Sequence, residues 1–286
     1  MLSDFLVDYG RVLSEVRHLC VQLSRFAGRD FAELPDEDCM TIGRCLDLLV
    51  GMGNSVPMTW VNALVREPDI MTHRDNLCCL RAWYEVRQER YYAERILADH
   101  DPVAAMGRYM NDSLPQTVMH SRDFQNLIKD RMSCLVIGAG PLPSTAILLS
   151  QLSHLQVTCI DNDRACAALG RQVLSSAKIE RVEYLCCDGL DLADLRRWDV
   201  VLVTIQAGVH WATGSLAPRS ALIEHVASTV CPGSILLLRS AHALGNLYHA
   251  DSYIGNLVGF KISTISSPVP GRSGLIVAEK MENRYV

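Results

Sequence analysis

Five short apolar runs alternate with helical patterns in the second half of this 286-residue chain, and this alternation constrains the fold most strongly. The apolar runs cover residues 133–137, 157–160, 182–187, 200–204 and 235–238. The helical patterns lie between them at 144–153, 164–176 and 217–230. Strands that are apolar throughout and are separated by helices are typical of parallel βαβ units, whose sheet is covered on both faces. We therefore predict a Rossmann-like α/β domain.

The end of the chain has a different pattern. Residues 258–266 and 274–279 are strand-like, with Pro268, Pro270 and Gly271 between them and no helix. Two strand-like segments joined by Pro and Gly predict a terminal antiparallel hairpin.

The first half shows a helical period and no strand signal before residue 130. Asp36 begins a helix that we expect to end at the glycine cluster 51–54. Other helical segments are predicted at 5–26, 57–66, 73–100 and from Asp101-Pro102 onward. We predict two domains, an N-terminal all-helical domain at 1–112 and the Rossmann-like domain at 113–286.

Charge supports a boundary near residue 115 and excludes one class of function. Residues 1–115 contain 12 basic and 18 acidic residues, whereas residues 116–286 contain 15 and 14, including all four lysines. The net charge is −5, which argues against a nucleic-acid partner bound by phosphate neutralisation.

The eleven cysteines favour a reducing compartment. They lie mostly in apolar runs, and no two have CxxC spacing. Cys134, Cys159, Cys186 and Cys187 fall in predicted strands, so we expect them to be buried thiols. No apolar run approaches the ~20 residues that cross a bilayer, and no ligand cluster indicates a metal site. We expect a cytoplasmic protein without a membrane partner or a bound metal.

A glycine-rich segment joins the first predicted strand to the helix that follows. It reads Gly138-Ala139-Gly140-Pro141-Leu142-Pro143, and such a loop lets the backbone approach a ligand at a helix N-terminus. Asp161 follows the second strand, where a carboxylate can accept hydrogen bonds from ribose hydroxyls, and Asp188 follows the third, near an adenine edge. The two acids fit S-adenosylmethionine better than a nicotinamide. The alternatives are a tight structural turn and strand-end caps.

Three spaced motifs resemble the nicotianamine synthase family. They are the loop 138–145, the acidic turn Asp161-Asn162-Asp163, and Leu238-Arg239-Ser240-Ala241-His242 followed by Leu247-Tyr248. In the first half, Gln88-Glu89-Arg90-Tyr91-Tyr92 is similar to the family's Leu-Glu-x-His-Tyr segment, and Asp101-Pro102 to its Asp-Pro turn. Only Tyr109 is retained where the plant enzymes carry an aromatic cluster. The chain therefore looks more like the bacterial branch, the opine-metallophore enzymes.

The resemblance implies a chemistry and its partners. These enzymes transfer the 3-amino-3-carboxypropyl group of S-adenosylmethionine and release methylthioadenosine, and the bacterial branch uses the amine of histidine as acceptor. An opine dehydrogenase then uses the product to make a metallophore, so the product and not the enzyme binds metal. The predicted cosubstrate site consists of the matched residues Gly138, Ala139, Gly140, Pro141, Leu142, Pro143, Asp161 and Asn162. Asp188 and Gln206 are added because they follow the third and fourth strands, where cofactor contacts are common.

The resemblance also places the catalytic residues. Glu89 matches the family's helix glutamate and is the candidate base for the amine, and Tyr109 is the candidate that orients the amine or the sulfonium. The residue pattern alone does not separate Glu89 from Glu85 or Glu94, and a solvated helix face is the alternative. Two carboxylates four residues apart raise each other's pKa if they are buried together.

Three residues are candidates for binding histidine. Arg239 is expected at the carboxyl end of the fifth strand, where it would pair with a substrate carboxylate. His242 lies just beyond it, and His210 is expected to line the same pocket. The alternatives are a salt bridge from Arg239 to the helical half and a packing role for His210.

Other functions and assemblies stay open. We expect the helical domain to close over the site and exclude water. The alternatives to the histidine reaction are a small-molecule methyltransferase, a related enzyme that uses another amino acid, and a non-catalytic sensor of an adenosyl ligand. A homodimer is one option for the assembly.

Overall fold

The computed structural model describes residues 2–29, 33–112, 122–152, 154–210, 215–216, 219–240, 244–249, 257, 259–266 and 274–282. Helices occupy the first part of the chain. They are α1 (Leu2–Ser24), α2 (Asp36–Ser55), α3 (Met58–Leu64), α4 (Pro68–Met71), α5 (Arg74–Ala98), α6 (Pro102–Asp112) and α7 (Arg122–Ile128). The described residues before Ser133 contain no strand, as the helical period predicts.

One predicted helix end is wrong. The helix from Asp36 continues through the glycine cluster to Ser55, where the Ser55 hydroxyl donates to the carbonyl of Gly51. The chain leaves the helix at Val56, which precedes Pro57, because proline disfavours the helical conformation in the residue before it. Helix α7 lies in a region where the sequence pattern predicts no element.

The second part of the chain forms a seven-stranded sheet. Its strands are β1 (Ser133–Ile137), β2 (Gln156–Asp161), β3 (Val182–Cys186), β4 (Val200–Val203), β7 (Ile235–Ser240), β8 (Phe260–Ser266) and β9 (Gly274–Lys280). Their order is β3-β2-β1-β4-β7-β9-β8. The first five are parallel, and β9 is antiparallel to both β7 and β8. The parallel sheet and the terminal hairpin are confirmed.

Helices and one small ribbon connect the strands. The helices are α8 (Ser144–Leu152), α9 (Arg164–Ser176), α10 (Arg219–Thr229) and α11 (Gly245–Tyr248). The ribbon consists of the two-residue strands β5 (Val209–His210) and β6 (Ser215–Leu216), which the sequence pattern does not predict.

The prediction of four buried strand cysteines is half right. Cys134 and Cys159 are buried in the central strands β1 and β2. Cys186 is exposed at the end of β3, and Cys187 is half-buried beyond that end. Strand β3 is at the edge of the sheet, so its carboxyl end has fewer neighbours to cover it.

Helix α5 links two hydrophobic clusters. Its first half contributes Leu77, Leu80 and Trp83 to a cluster among the N-terminal helices. Its second half contributes Ala93 and Ile96 to the cluster that covers one face of the sheet. The residues between them are therefore carried across the junction of the two clusters. The domain boundary at 112 stays a prediction, because residues 113–121 lie outside the described part of the chain.

No helix among the described residues combines the length and the apolar character that crossing a bilayer would require.

Candidate active site

The glycine loop after β1 has a conformation that glycine favours. Gly138 and Gly140 have φ angles of 78° and 67°, in the left-handed region where a Cβ is strained. A Cβ on residue 138 would also lie 2.7 Å from the hydroxyl oxygen of Thr204. The amides of Gly138 and Ala139 both donate to the carbonyl of Ile160 at 3.0 Å. Strands β2 and β4 thus fix the loop from both sides.

Asp161 holds the second glycine of this loop. One carboxylate oxygen accepts from the amide of Gly140 at 2.9 Å and the other from the amide of Asp163 at 3.0 Å. Tyr184 donates to the carbonyl of Gly140 at 2.7 Å. Burial raises the pKa of Asp161. Each carboxylate oxygen has a further lone pair with which it can accept from a ligand.

The rest of the loop leads into helix α8. Pro141, Leu142 and Pro143 are buried, and the carbonyl of Pro143 accepts the first helical hydrogen bond, from Ile147, at 3.0 Å. Proline at a helix start sacrifices no hydrogen bond, since the first amides have no helical partner. This explains why Pro143 can stand where dinucleotide-binding loops carry a third glycine.

The predicted acids after β2 and β3 meet at one edge. Asn162 donates to one oxygen of Asp188 at 3.2 Å, and the other oxygen of Asp188 accepts from the amide of Leu190 at 2.9 Å. Asp188 therefore caps a short turn, which is the alternative that the sequence leaves open, and also contacts the acidic turn. Both residues lie at the same sheet edge as the glycine loop.

Glu89, on helix α5, lies against the same glycine loop. A Cβ on Gly140 would overlap a carboxylate oxygen of Glu89, and the backbone amide of Leu142 donates to the same carboxylate. Burial raises the pKa of Glu89 well above its ordinary value, and the charges of Glu85 and Asp161 raise it further. Helix α5 therefore brings a carboxylate with a raised pKa to the predicted cosubstrate loop. Glu94, by contrast, is exposed.

Tyr109 adjoins the same loop. Its hydroxyl shares a hydrogen bond with the side chain of Ser144 at the start of α8, and burial together with the charge of Glu89 raises its pKa. Its ring centre is 5.2 Å from that of Tyr92, which is 5.5 Å from that of Tyr91. Tyr91 and Tyr92 are exposed, so the three rings lead from the surface to the glycine loop.

A second polar cluster surrounds Glu85, one helical turn before Glu89. Arg81 donates to one oxygen of Glu85 at 2.7 Å, and Gln206 donates to the other at 2.7 Å. Burial raises the pKa of Glu85, but Arg81 and the donated hydrogen bonds outweigh burial, so the pKa is lowered. The expectation that two buried neighbours both have raised pKa values is right for Glu89 and wrong for Glu85.

Gln206 serves this cluster. Its amide nitrogen also contacts Nδ1 of His249 at 2.9 Å, while its oxygen is buried without a hydrogen-bond partner among the described residues. Burial lowers the pKa of His249 to about 4, so the ring is neutral and Nδ1 can accept. The structure therefore joins Gln206 to Glu85 and His249 through its amide nitrogen.

The three predicted histidine-binding residues have different outcomes. Arg239 lies near the carboxyl end of β7, where burial lowers its pKa and the charge of Glu85 opposes that effect. The backbone of His210 pairs with Ser215 in the ribbon, but its side chain is outside the described part of the structure. His242 is outside it entirely.

Arg81, Tyr184 and His249 are the residues that sequence reasoning missed. His249 directly follows the matched segment Leu247-Tyr248, and Arg81 is four residues before Glu85, so both had a weak signal. Tyr184 lies in the middle of strand β3, and no sequence pattern indicated a role for it in the site. Within the described ranges, no group of three or more His, Cys, Asp or Glu side chains is arranged to hold a metal ion.

The sheet order, the glycine loop and the acids beside it define a Rossmann-like α/β protein with a helical N-terminal part. The family model for nicotianamine synthase proteins matches residues 46–285. The chain therefore belongs to the nicotianamine synthase family.

Plant relatives support this assignment over part of their length. Nicotianamine synthase 3 of Arabidopsis thaliana is 29% identical over 154 residues, which are 52% of this chain and 46% of that protein. Nicotianamine synthase 9 of Hordeum vulgare is 26% identical over 227 residues, or 74% of this chain and 64% of that protein. The chain spans about half the length of the Arabidopsis relatives that it matches.

Solved structures have the same fold. A glutamate-to-glutamine variant of MtNAS has a TM-score of 0.75 at 16% identity and covers 94% of this chain and 98% of its own. MtNAS in complex with MTA and tNA has a TM-score of 0.73 at 15% identity and covers 97% and 98%. A further MtNAS structure holds S-adenosylmethionine. The likeness confirms the Rossmann-like fold with its helical part.

Proposed function

We propose that this protein transfers the 3-amino-3-carboxypropyl group of S-adenosylmethionine to the amine of histidine and releases methylthioadenosine. The observation that carries the proposal is the position of Glu89, a half-buried carboxylate with a raised pKa that lies against Gly140 in the glycine loop. Family membership and the S-adenosylmethionine and MTA bound to MtNAS support the same chemistry.

The glycine loop and its acids fit S-adenosylmethionine. Gly138 and Gly140 allow the tight turn that brings the loop backbone to the carboxyl edge of the sheet, and Asp161 retains acceptor capacity for ribose hydroxyls. Asp188 and Asn162 lie beside it, at the edge where an adenine ring would bind. The nearby carboxylates Glu89 and Asp161 suit a ligand with a sulfonium charge.

Glu89 would accept the proton that the acceptor amine must lose. When bound, S-adenosylmethionine supplies an electrophilic carbon, whose bond to sulfur breaks as a bond to the amine nitrogen forms. A general base is most effective when its pKa lies near the operating pH, and the raised pKa of Glu89 moves it in that direction. Tyr109, which shares a hydrogen bond with Ser144 beside the loop, would orient the amine or the sulfonium.

The histidine acceptor rests on the resemblance to the bacterial branch. Arg239, close to Glu85, would pair with the histidine carboxylate through its guanidinium. His210 and His242 would complete the pocket. An opine dehydrogenase would consume the product, which would be the metal chelator.

The proposal includes a domain arrangement, a location and an assembly. Residues 1–112 would act as a substrate domain that closes over the Rossmann-like domain, a role supported by α5, which carries Glu89 to the loop. A cytoplasmic location fits the eight cysteines that are buried as free thiols. A homodimer remains an option.

One incubation tests the reaction. The protein is mixed with S-adenosylmethionine and either D- or L-histidine, and the products are separated and weighed by mass spectrometry. Methylthioadenosine together with histidine that has gained one aminobutanoyl group supports the proposal. S-adenosylhomocysteine would instead indicate a methyltransferase, and binding without turnover for every amino acid would indicate a sensor. Methylthioadenosine with another amino acid only would change the acceptor and retain the chemistry.

A further inference from the structure

Glu85 and Glu89 lie one helical turn apart on α5, yet their surroundings differ. The carboxylate of Glu89 accepts a hydrogen bond from the backbone amide of Leu142 and lies against Gly140. The carboxylate of Glu85 accepts hydrogen bonds from the side chains of Arg81 and Gln206, each at 2.7 Å. Residues at this spacing share one face of a helix. The carboxylate of Glu85, which accepts from charged and polar donors, therefore adjoins the carboxylate of Glu89 at the glycine loop.

Groups from four segments of the chain surround Glu85. Arg81 approaches from α5, Gln206 from the segment after β4, and Arg239 from β7. His249, after α11, contacts the nitrogen of Gln206 at 2.9 Å. Tyr248 stacks beneath the guanidinium of Arg81, 5.7 Å from the ring centre. These contacts fix the position of the Glu85 carboxylate and favour its ionised form.

The groups that face Glu89 are different in kind. Glu85 comes from its own helix, Asp161 from β2, Tyr109 from α6 and Tyr184 from β3. Two of these are acids and two are phenols, and Arg81 donates to Glu85. The two acids therefore give the Glu89 carboxylate a negative environment, and the charge of Glu85 has the larger effect on it.

We propose that Glu85, held by Arg81 and Gln206, is a positioning residue whose fixed negative charge makes Glu89 basic enough to deprotonate the acceptor amine. This inference rests on the proposed transferase reaction. An unperturbed glutamate has a pKa of about 4.3 and an α-amine about 7.7–8.0, so proton transfer between them is uphill by several kcal/mol. Glu85 reduces this difference without touching the substrate.

Gln206 and His249 help to hold the Glu85 carboxylate in place. Since His249 is neutral, its Nδ1 accepts the second hydrogen of the Gln206 amide, which turns the nitrogen toward Glu85. The amide therefore acts as a donor to Glu85 and cannot present its oxygen, which would repel the carboxylate. The arrangement links segments that are far apart in sequence and requires the closed contact between α5 and the sheet edge.

The test measures the protonation of Glu89 without any substrate. Infrared spectroscopy records the protonated-carboxyl band of the free protein from acid to alkaline pH, and Glu89→Gln identifies the band. In Glu85→Gln the midpoint should move to lower pH by roughly one unit, and the acid limb of the kcat/KM profile should move with it. Glu85→Asp, which keeps the charge, should restore most of the midpoint.

Glu94→Gln is the matched control, because it removes the same charge from an exposed position on the same helix. Its midpoint should equal that of the unchanged protein. An unchanged midpoint in folded Glu85→Gln would overturn the inference. If Glu85→Gln does not fold, the same infrared titration is made on Gln206→Met, in which Glu85 should become protonated at a higher pH. An unchanged titration of Glu85 in Gln206→Met would also overturn the inference. A normal midpoint shift without methylthioadenosine formation would refute only the proposed reaction.

Discussion

The two sides of the candidate site are built differently. The sheet side consists of backbone amides and acids from a continuous stretch, from Gly138 to Asp188, and is fixed by contacts between neighbouring strands. The α5 side consists of side chains from distant segments, Glu85 and Glu89 on the helix, and Gln206 and His249 beyond it. The sheet side provides a shape for a ligand, and the α5 side provides proton chemistry. Variants on each side should therefore have separable effects.

The largest effect is expected from Glu89→Gln. Loss of a general base typically costs about 10²- to 10⁴-fold in rate, and we expect methylthioadenosine formation to fall by that factor. The affinity for S-adenosylmethionine, measured by calorimetry, should change by less than about threefold, because Gln resembles the protonated carboxyl. Equal losses in rate and in affinity would show that Glu89 also binds S-adenosylmethionine, and would contradict the separate roles of the two sides.

Gly140→Ala should act on the sheet side. A non-glycine residue at a φ of 67° costs about 1–3 kcal/mol, and its Cβ would also overlap Glu89. We expect a lower melting temperature and a weaker affinity for S-adenosylmethionine, by calorimetry. Gly51→Ala, in helix α2 where a Cβ meets nothing within 4 Å, is the control. The idea fails if both variants bind equally well.

Arg90 connects the two sides. Its guanidinium is 3.6 Å from a carboxylate oxygen of Asp163 and donates to the thiol of Cys166 at 3.7 Å, both at the start of α9. A partly exposed ion pair contributes about 0.2–1 kcal/mol, so Arg90→Gln should raise the KM for S-adenosylmethionine by up to about fivefold. Steady-state kinetics should show kcat nearly unchanged. A fall in kcat alone would mean that Arg90 belongs to the α5 side.

The smallest effect concerns stability and pH. The unfolded chain releases the Glu89 proton near pH 4.5, whereas the folded protein retains it to a higher pH. The stability that Glu89 contributes is therefore complete below pH 4.5 and is lost as pH rises toward the folded pKa. Glu89→Gln has no such loss, so its melting temperature should exceed that of the unchanged protein by at least about 2 °C at pH 8.

Thermal unfolding at pH 4 provides the reference for that difference. There the two proteins should melt at nearly the same temperature. A difference that shrinks from pH 4 to pH 8 would contradict the raised pKa of Glu89.

Much of the sheet side is predictable because it depends on local order. Strand limits, the loop 138–143 and the acids Asp161 and Asp188 follow from an apolar strand that ends at a polar residue. Helix α2 is an instructive error, since glycines inside a helix are tolerated and the end is set by Pro57. The exposed Cys186 shows that strand membership does not imply burial at a sheet edge.

The α5 side is much less predictable. Periodicity places Glu85 and Glu89 on one face, but only tertiary contacts decide that Arg81 and Gln206 pair with the first and that the second is left among acids. The position of Gln206 after a strand predicts a contact with the cosubstrate, and nothing in the neighbouring sequence indicates its contact with His249. Only the family resemblance distinguishes Glu89 from Glu85 and Glu94 in the sequence.

The central claim is that the two sides together direct the aminocarboxypropyl carbon, and not the methyl carbon, to an amine. The direct measurement uses S-adenosylmethionine labelled with ¹³C either in the aminocarboxypropyl chain or in the methyl group, with histidine as acceptor. We predict that only the chain label appears in the amino-acid product and that the methyl label remains in methylthioadenosine. A methyl label in the amino-acid product would contradict the account.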